Sequence, residues 1–584
     1  MSERIRDLRN GVFCCLVFLG CWLLAWPVAN MAYGDDWSYI ETARVFAQTG
    51  HIVYNGWGAP MLGWMIPWGA LFIKLFGFSF MAAHLSILPV ALATLLLFHA
   101  LLRRFAIGPR DAVIGALTLG LSPLFLPLSA GFLSDMPGLF AIVLCMYLCQ
   151  RALAATTDRA AMGWLAAAAA TNVIGGTARQ VAWLGVLVMV PCTGWLLRRR
   201  PRLLVTALVL WVAGIGSVYY CMQWLARQPH IVKVSILPRT QSSFVWWVAF
   251  LIRTTSRMES LGLCLLLFTF PIFAIWLREF GRKISDYVVL VALGLFPLLA
   301  AKQMMGANGE IWPPNTLLSE LSLRMLPTWD YQLSLHKTLA PVPVQILISM
   351  LLLAAFFGLV TFLRKKGWTA GWWRDDSPGS QMFWLLVPFS LSYFALLMTL
   401  VWHGMTYDKY VIGVMPPAIV IGLWLYERYM GGVLPRAATY LLIFYAAISV
   451  AGVHTWFASR RAMVAAIGEL RKAGVPRTEI DGGLEYNGWT QVRNGGQAYN
   501  PYNRAVTRTF QPPADSPAYN PQCDAWSLLV DSDVRPIYEV GNREKQCYAP
   551  SKFPAVHYTA WLPPFDRVVE VQRVVGRQDP GPEK

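Results

Sequence analysis

Tyr33-Gly34-Asp35-Asp36-Trp37-Ser38-Tyr39-Ile40-Glu41 follows the first long apolar run, Gly11 to Tyr33, and precedes hundreds of mostly hydrophobic residues. Two adjacent carboxylates this close to a bilayer are costly if buried and useful if they stand at a membrane-surface site. Aspartate before a helix also accepts its free N–H groups, and Ser38-Tyr39-Ile40-Glu41 fits a capping box. The two readings are compatible, because a cap fixes one carboxylate and leaves its neighbour free.

The surrounding composition sets the fold class. Of 584 residues, 56% are hydrophobic and 14% charged, against about 25% charged in a soluble domain. The apolar residues form blocks of roughly 18 to 23, long enough to cross a hydrocarbon core of about 30 Å as helices. The dyad repeats of a membrane barrel are missing. The expectation is an α-helical polytopic membrane protein. A net charge of +17 would point to nucleic acid in a soluble chain. Here the Arg and Lys residues cluster between apolar runs, as in cytoplasmic loops, and no folded basic domain is left to bind nucleic acid.

Arg4, Arg6 and Arg9 precede the first apolar run, which is long for a signal peptide, and Trp26-Pro27-Val28-Ala29-Asn30 is a poor cleavage site. A retained first helix with its N-terminus inside is expected, which puts the acidic stretch outside. Basic clusters at 103–110, 151–159, 198–202, 278–283, 364–366 and 428–436 then mark inner turns. They give about thirteen membrane helices by the positive-inside rule, including spans at 111–128, 161–177, 179–197, 258–277, 284–301 and 341–363. Residues 37–48 read as an amphipathic helix lying on the membrane and ended by Gly50. Trp57 to Gly77 reads as an interfacial or re-entrant piece.

After Thr455 the chain becomes rich in Arg, Asp, Pro, Asn and Tyr. The division expected is a membrane domain, 1–455, and a small mixed α/β domain, 456–584, on the outer, periplasmic face. A helix over Met463–Ala473 and strands over Trp526–Asp531 and Arg567–Val575 are predicted there. Of ten cysteines, only Cys523 and Cys547 lie in this polar region, and outside the cytoplasm they would form a disulfide.

Further polar residues fall on the same outer face. Asp135 opens a span at Phe132-Leu133-Ser134-Asp135-Met136-Pro137, where it also suits helix capping. Arg179 sits at an outer turn, where the positive-inside rule disfavours it, so an anionic partner or headgroup snorkelling is expected. His403, Tyr407, Asp408, Lys409 and Tyr410 share a short outer turn, and Asp408 and Lys409 also read as a simple ion pair. Lys302 and Arg324 lie in a long outer loop. A carboxylate among these could take a proton from an attacking acceptor, while the cations stabilise a departing phosphate.

Gly34-Asp35-Asp36-Trp37-Ser38-Tyr39, Leu133-Ser134-Asp135-Met136-Pro137, Thr177-Ala178-Arg179-Gln180 and Tyr407-Asp408-Lys409-Tyr410-Val411 through Pro416-Pro417 resemble the GT-C glycosyltransferases. The nearest branch is family 39, the protein O-mannosyltransferase and aminoarabinose-transferase group. The resemblance implies an inner-membrane enzyme moving a hexosyl or pentosyl group from a polyprenyl-phosphate sugar donor to a lipid, glycan or protein acceptor outside. It implies a base in the first outer loop, here Asp35, with Asp36 and Asp135 in support. Arg179, Lys409, Lys302 and Arg324 would hold the donor phosphate. Trp37, Tyr39, His403, Tyr407, Asp408 and Tyr410 would contact substrate. The family's pair is commonly Asp-Glu, whereas this chain has Asp-Asp. No cofactor is required by this reading; a divalent metal is left open, with His51 and Glu41 the nearby candidates. Ile480-Asp481-Gly482-Gly483-Leu484-Glu485-Tyr486-Asn487-Gly488-Trp489 resembles an appendage of bacterial members and is assigned no chemistry. The competing readings are a transporter or flippase of a lipid-linked glycan, which would show internal repeats, and a non-catalytic membrane scaffold.

Overall fold

The computed structural model describes residues 3–232, 247, 250, 254, 261, 265, 378–402, 408–429, 434, 436–498, 531, 533–541, 547–563 and 565–575. Seven helices among them are long and apolar enough to cross a membrane: Glu3–Ala25, Phe80–Arg104, Asp135–Leu153, Pro201–Ala226, Gly379–Trp402, Lys409–Arg428 and Arg436–Lys472. The expected spans at 258–277, 284–301 and 341–363 lie outside the described residues.

Two expected spans take another form. The run 111–128 breaks into the helices Pro109–Gly120 and Phe125–Leu128. Pro123 stands in the break, where it has no N–H to continue the ladder. The run 179–197 is a 3₁₀ turn, Gln180–Trp183, followed by a π-helical segment, Gly185–Met189, and a short α-helix, Val190–Leu196. Elsewhere small residues let helices approach closely. A Cβ on Gly175 would come 2.4 Å from the Cβ of Ala141, so helices Asp135–Leu153 and Asp158–Gly176 touch nearly backbone to backbone.

The helix Asp36–Thr49 ends at Gly50, whose φ of 73° suits glycine and whose N–H bonds the Phe46 carbonyl. Its first two turns are buried on every side, beyond what the expected amphipathic pattern required. Every residue from Asp36 to Ala43 is buried, because protein covers both sides of its first two turns. Met65–Phe76, within the expected interfacial piece, is an apolar helix of only 12 residues.

The last long helix, Arg436–Lys472, runs unbroken for 37 residues through position 455 and includes the expected helix at 463–473. Its C-terminal part presents Ala458, Ala462, Met463, Ala466, Ile467 and Leu470, at helical spacing, to a small sheet. The strands are β1 Ile480–Asp481, β2 Tyr538–Gly541, β3 Tyr548–Pro550, β4 Val556–Thr559 and β5 Asp566–Val574. β1 runs parallel to β2; β5 pairs antiparallel with β2, β3 and β4. Val569 and Val571 of β5 and Val540 of β2 face the helix. β5 matches the strand expected at 567–575 with a shift of one residue, whereas 526–530 falls outside the described residues. Cys547 is disulfide-bonded, and Cys523 lies outside the described residues.

Candidate active site

The loop after the first helix is fixed before the helix Asp36–Thr49 begins. Tyr33 packs edge-on against Trp456 and nearly parallel to Phe457, at 5.5 and 6.0 Å between centroids. Gly34 then takes a φ of 58°, which a glycine adopts freely, and its N–H points to Glu485 Oε1 at 3.3 Å.

The two aspartates that follow have opposite surroundings. Asp36 is wholly buried, and both its oxygens are engaged. Oδ1 accepts from the Tyr33 N–H at 2.7 Å, while Oδ2 accepts from the Phe132 N–H at 3.0 Å and lies 2.8 Å from His84 Nε2. It ties three segments together and has little capacity left for chemistry. Asp35 is half-buried; its Oδ1 accepts from Trp57 Nε1 at 2.9 Å, and Oδ2 makes no hydrogen bond among the described residues. Neither expected cap forms. Asp35 holds the N-cap position without a side-chain bond to the helix. Glu41 turns instead to Arg44, which donates to it through Nε and Nη2 at 2.8 and 2.7 Å.

Trp37, expected to face substrate, is fully buried instead. It lies 5.4 Å from the Trp57 ring, and a Cβ on Gly488 would fall 2.5 Å from its indole. It packs against both.

The other cluster forms around Arg179. Its Nη1 is 3.0 Å from Asp135 Oδ1 and donates to Ser134 Oγ at 3.2 Å, and its guanidinium lies 5.2 Å from the centre of the Tyr410 ring. Asp135 is therefore the anionic partner, and Arg179 is held inward rather than snorkelling. The turn that carries it is stitched to the loop after the helix Asp36–Thr49: Gly63 N–H donates to the Thr177 carbonyl at 2.8 Å, and Gln180 Nε2 to the Ala59 carbonyl at 3.4 Å. Tyr393, which the sequence did not single out, donates from its hydroxyl to the Tyr410 carbonyl at 2.9 Å.

Tyr39 joins the two halves. Burial pushes its phenol well above the usual range; the nearby charges of Asp35 and Asp135 push the same way, and Arg179 opposes them. Tyr410 lies in the field of the same three groups. Asp35, Tyr39, Asp135, Arg179 and Tyr410 thus form one constellation, from segments as far apart in sequence as the first loop and the turn at 408–414.

Lys409 is half-buried at the start of that turn. Only the backbone of Asp408 is described, and His403, Tyr407, Lys302 and Arg324 lie outside the described residues. As a metal ligand Glu41 does not fit, since Arg44 occupies both its oxygens; His51 is exposed. No group of three or more His, Cys, Asp or Glu able to hold a metal occurs among the described residues.

Sequence reading also missed His84, Trp57 and the Glu485–Arg460 pair, with Arg460 Nη2 at 3.3 Å from Glu485 Oε1. The apolar context of His84 and Trp57 gives no separate signal. Arg460 and Glu485 lie in the polar region, where charged residues are ordinary.

No protein-family model and no curated protein matches the chain. Among solved structures it is similar to ArnT from Cupriavidus metallidurans bound to undecaprenyl phosphate, at 16% identity and a TM-score of 0.39, over 80% of this chain and 81% of that one. It is also similar to the archaeal oligosaccharyltransferase AglB from Archaeoglobus fulgidus, at 13% identity and a TM-score of 0.39, over 80% and 58%. A third likeness is to the S. cerevisiae protein O-mannosyltransferase Pmt1-Pmt2 complex, at 15% and 0.29, over 39% and 33%. All three are GT-C fold glycosyltransferases, the group that the motifs resemble. At these TM-scores the likenesses carry no argument for the chemistry, which rests on the residues themselves.

Proposed function

We propose that the chain is a membrane glycosyltransferase that moves a sugar from a polyprenyl-phosphate donor to an acceptor on the extracytoplasmic side. The observation that carries this reading is the pairing of a half-buried carboxylate having one unengaged oxygen, Asp35, with a partly buried guanidinium, Arg179, in one constellation. In the step proposed, Asp35 takes the proton of an acceptor hydroxyl or amine as that atom attacks the anomeric carbon. The carbon–oxygen bond to phosphate breaks, with inversion, and its electron pair leaves on the polyprenyl phosphate. Arg179 uses N–H groups left over from Ser134 and Asp135 to stabilise that phosphate, with Lys409 beside it.

Asp36 holds the loop, Asp135 orients Arg179, and Tyr39 and Tyr410 wall the space between. In this reading the N-terminus is cytoplasmic, the outer domain is periplasmic, and the membrane is a bacterial inner membrane. Transfer from a polyprenyl-phosphate sugar is the test, with Asp35→Asn and Arg179→Ala beside wild type. Loss of a general base costs about 100- to 10,000-fold in rate. Wild-type turnover in both variants overturns the roles.

A further inference from the structure

The decapeptide Ile480–Trp489, so far without a chemical role, forms β1 and the start of the helix Gly483–Gly495. That helix docks on the first loop and closes one side of a cavity of about 630 Å³. Ligand pockets typically measure roughly 300–1,000 Å³. The wall includes Met31 and Ala32, just before the loop that carries Asp35. None of the residues argued below takes part in the constellation around Arg179.

Three arginines line this cavity: Arg44, Arg477 and Arg493. Arg44 and Arg493 share one carboxylate, Glu41, at 2.7 and 3.7 Å. Arg477 is exposed and makes no hydrogen bond or ion pair among the described residues. The one acid on the wall, Glu485, is neutralised by Arg460. The cavity therefore carries surplus positive charge presented by guanidinium forks, which suit carboxylate and phosphate groups.

Its other lining is aromatic. Phe78 stacks on Trp489 at 5.5 Å with 6° between the planes. Flat ring faces of this kind match the apolar C–H face of a sugar ring, with polar groups left at the edge.

We propose that this cavity binds an anionic saccharide and serves as the docking subsite for the acceptor side of the reaction. Arg477 and Arg493 take its acidic groups, and Phe78 covers a sugar face. The inference rests on the glycosyl-transfer reading for its purpose, not for its binding chemistry.

Equilibrium dialysis of the full-length protein in neutral-lipid nanodiscs, with labelled trigalacturonate as probe, tests it without turnover. Trigalacturonate should bind at least about ten-fold more tightly than neutral maltotriose. The Arg477→Gln/Arg493→Gln variant should lose about ten-fold or more, while Arg493→Lys, which keeps the charge but not the fork, should fall between that variant and wild type. Anionic phosphatidylglycerol in the nanodiscs should compete if a lipid headgroup carries the acidic saccharide in nature, and should leave binding unchanged if the saccharide is soluble. Equal binding of maltotriose, no loss in the double variant, displacement by inorganic phosphate as effective as by trisaccharide, or no binding at all overturns the proposal. Asp35→Asn should bind the probe as wild type does. Intact binding without any transfer by wild type would sink the glycosyltransferase reading and leave the cavity standing.

Discussion

Glu485 accepts a hydrogen bond from the Gly34 N–H at 3.3 Å, although 451 positions separate the two residues. The carboxylate that holds the first loop is itself held by Arg460, whose guanidinium also lies 4.3 Å from the Trp456 ring centre. Both charged side chains are almost completely buried, at 2% and 3% exposure.

Removing one partner of such a pair leaves a buried charge uncompensated, at a cost of roughly 3–5 kcal/mol. Arg460→Met should therefore lower the unfolding temperature of the purified protein and weaken transfer as the loop loosens. A melting curve identical to wild type would show that the pair does not hold the loop.

Asp35→Asn and Asp36→Asn should fail in different ways. The first leaves packing intact, so yield and melting temperature should stay near wild type while transfer falls about 100-fold or more. The second weakens a three-segment junction whose buried acceptor bonds are worth about 1.5–3 kcal/mol each when charged. Its thermal stability should fall before any question of activity arises. Thermal unfolding of both proteins, alongside the transfer assay, separates the two; equal stability loss would remove the distinction.

Gly488→Ala should be destabilising by about 1–3 kcal/mol, the usual cost of overpacking. The new methyl would sit 2.5 Å from the rigid Trp37 indole, which cannot swing aside between Trp57 and the helix. Denaturant unfolding gives the figure. Gly468→Ala, on an open face of the long helix, is the control expected to be neutral or slightly stabilising.

Asp531 gives a pH dependence. Burial pushes its carboxyl well above the ordinary range, and Asp481 and Asp533 push it further. The folded state thus holds a proton that the unfolded chain, with a carboxyl near pH 3.9, has already released. The stabilising contribution is full below that value and is lost as pH rises toward the folded-state value. Asp531→Asn should raise the unfolding temperature more at pH 8 than at pH 4. An effect equal at both pH values would contradict the assignment.

Much of the membrane part was legible because hydropathy and charge are local signals. The acidic loop, the Gly50 stop and the Asp135 and Arg179 turns follow from a handful of neighbouring residues. The unequal burial of Asp35 and Asp36 was not legible. It depends on His84 and the Phe132 N–H, which periodicity cannot bring to one point. The capping box failed for a related reason: Arg44, three residues on, is a stronger partner for Glu41 than a backbone N–H. The docking of Gly483–Gly495 was invisible because nothing local marks Glu485 as the acceptor for a glycine at the other end of the chain.

The unbroken helix Arg436–Lys472 spans roughly 55 Å at about 1.5 Å per residue. It fixes the azimuth of the outer domain as well as its height. Each inserted residue would rotate the domain by about 100° and lift it by about 1.5 Å, so Glu485 reaches Gly34 in only one phase of the helix. The length of this segment, counted in single residues, therefore belongs to the specification of the site as much as any side chain in it.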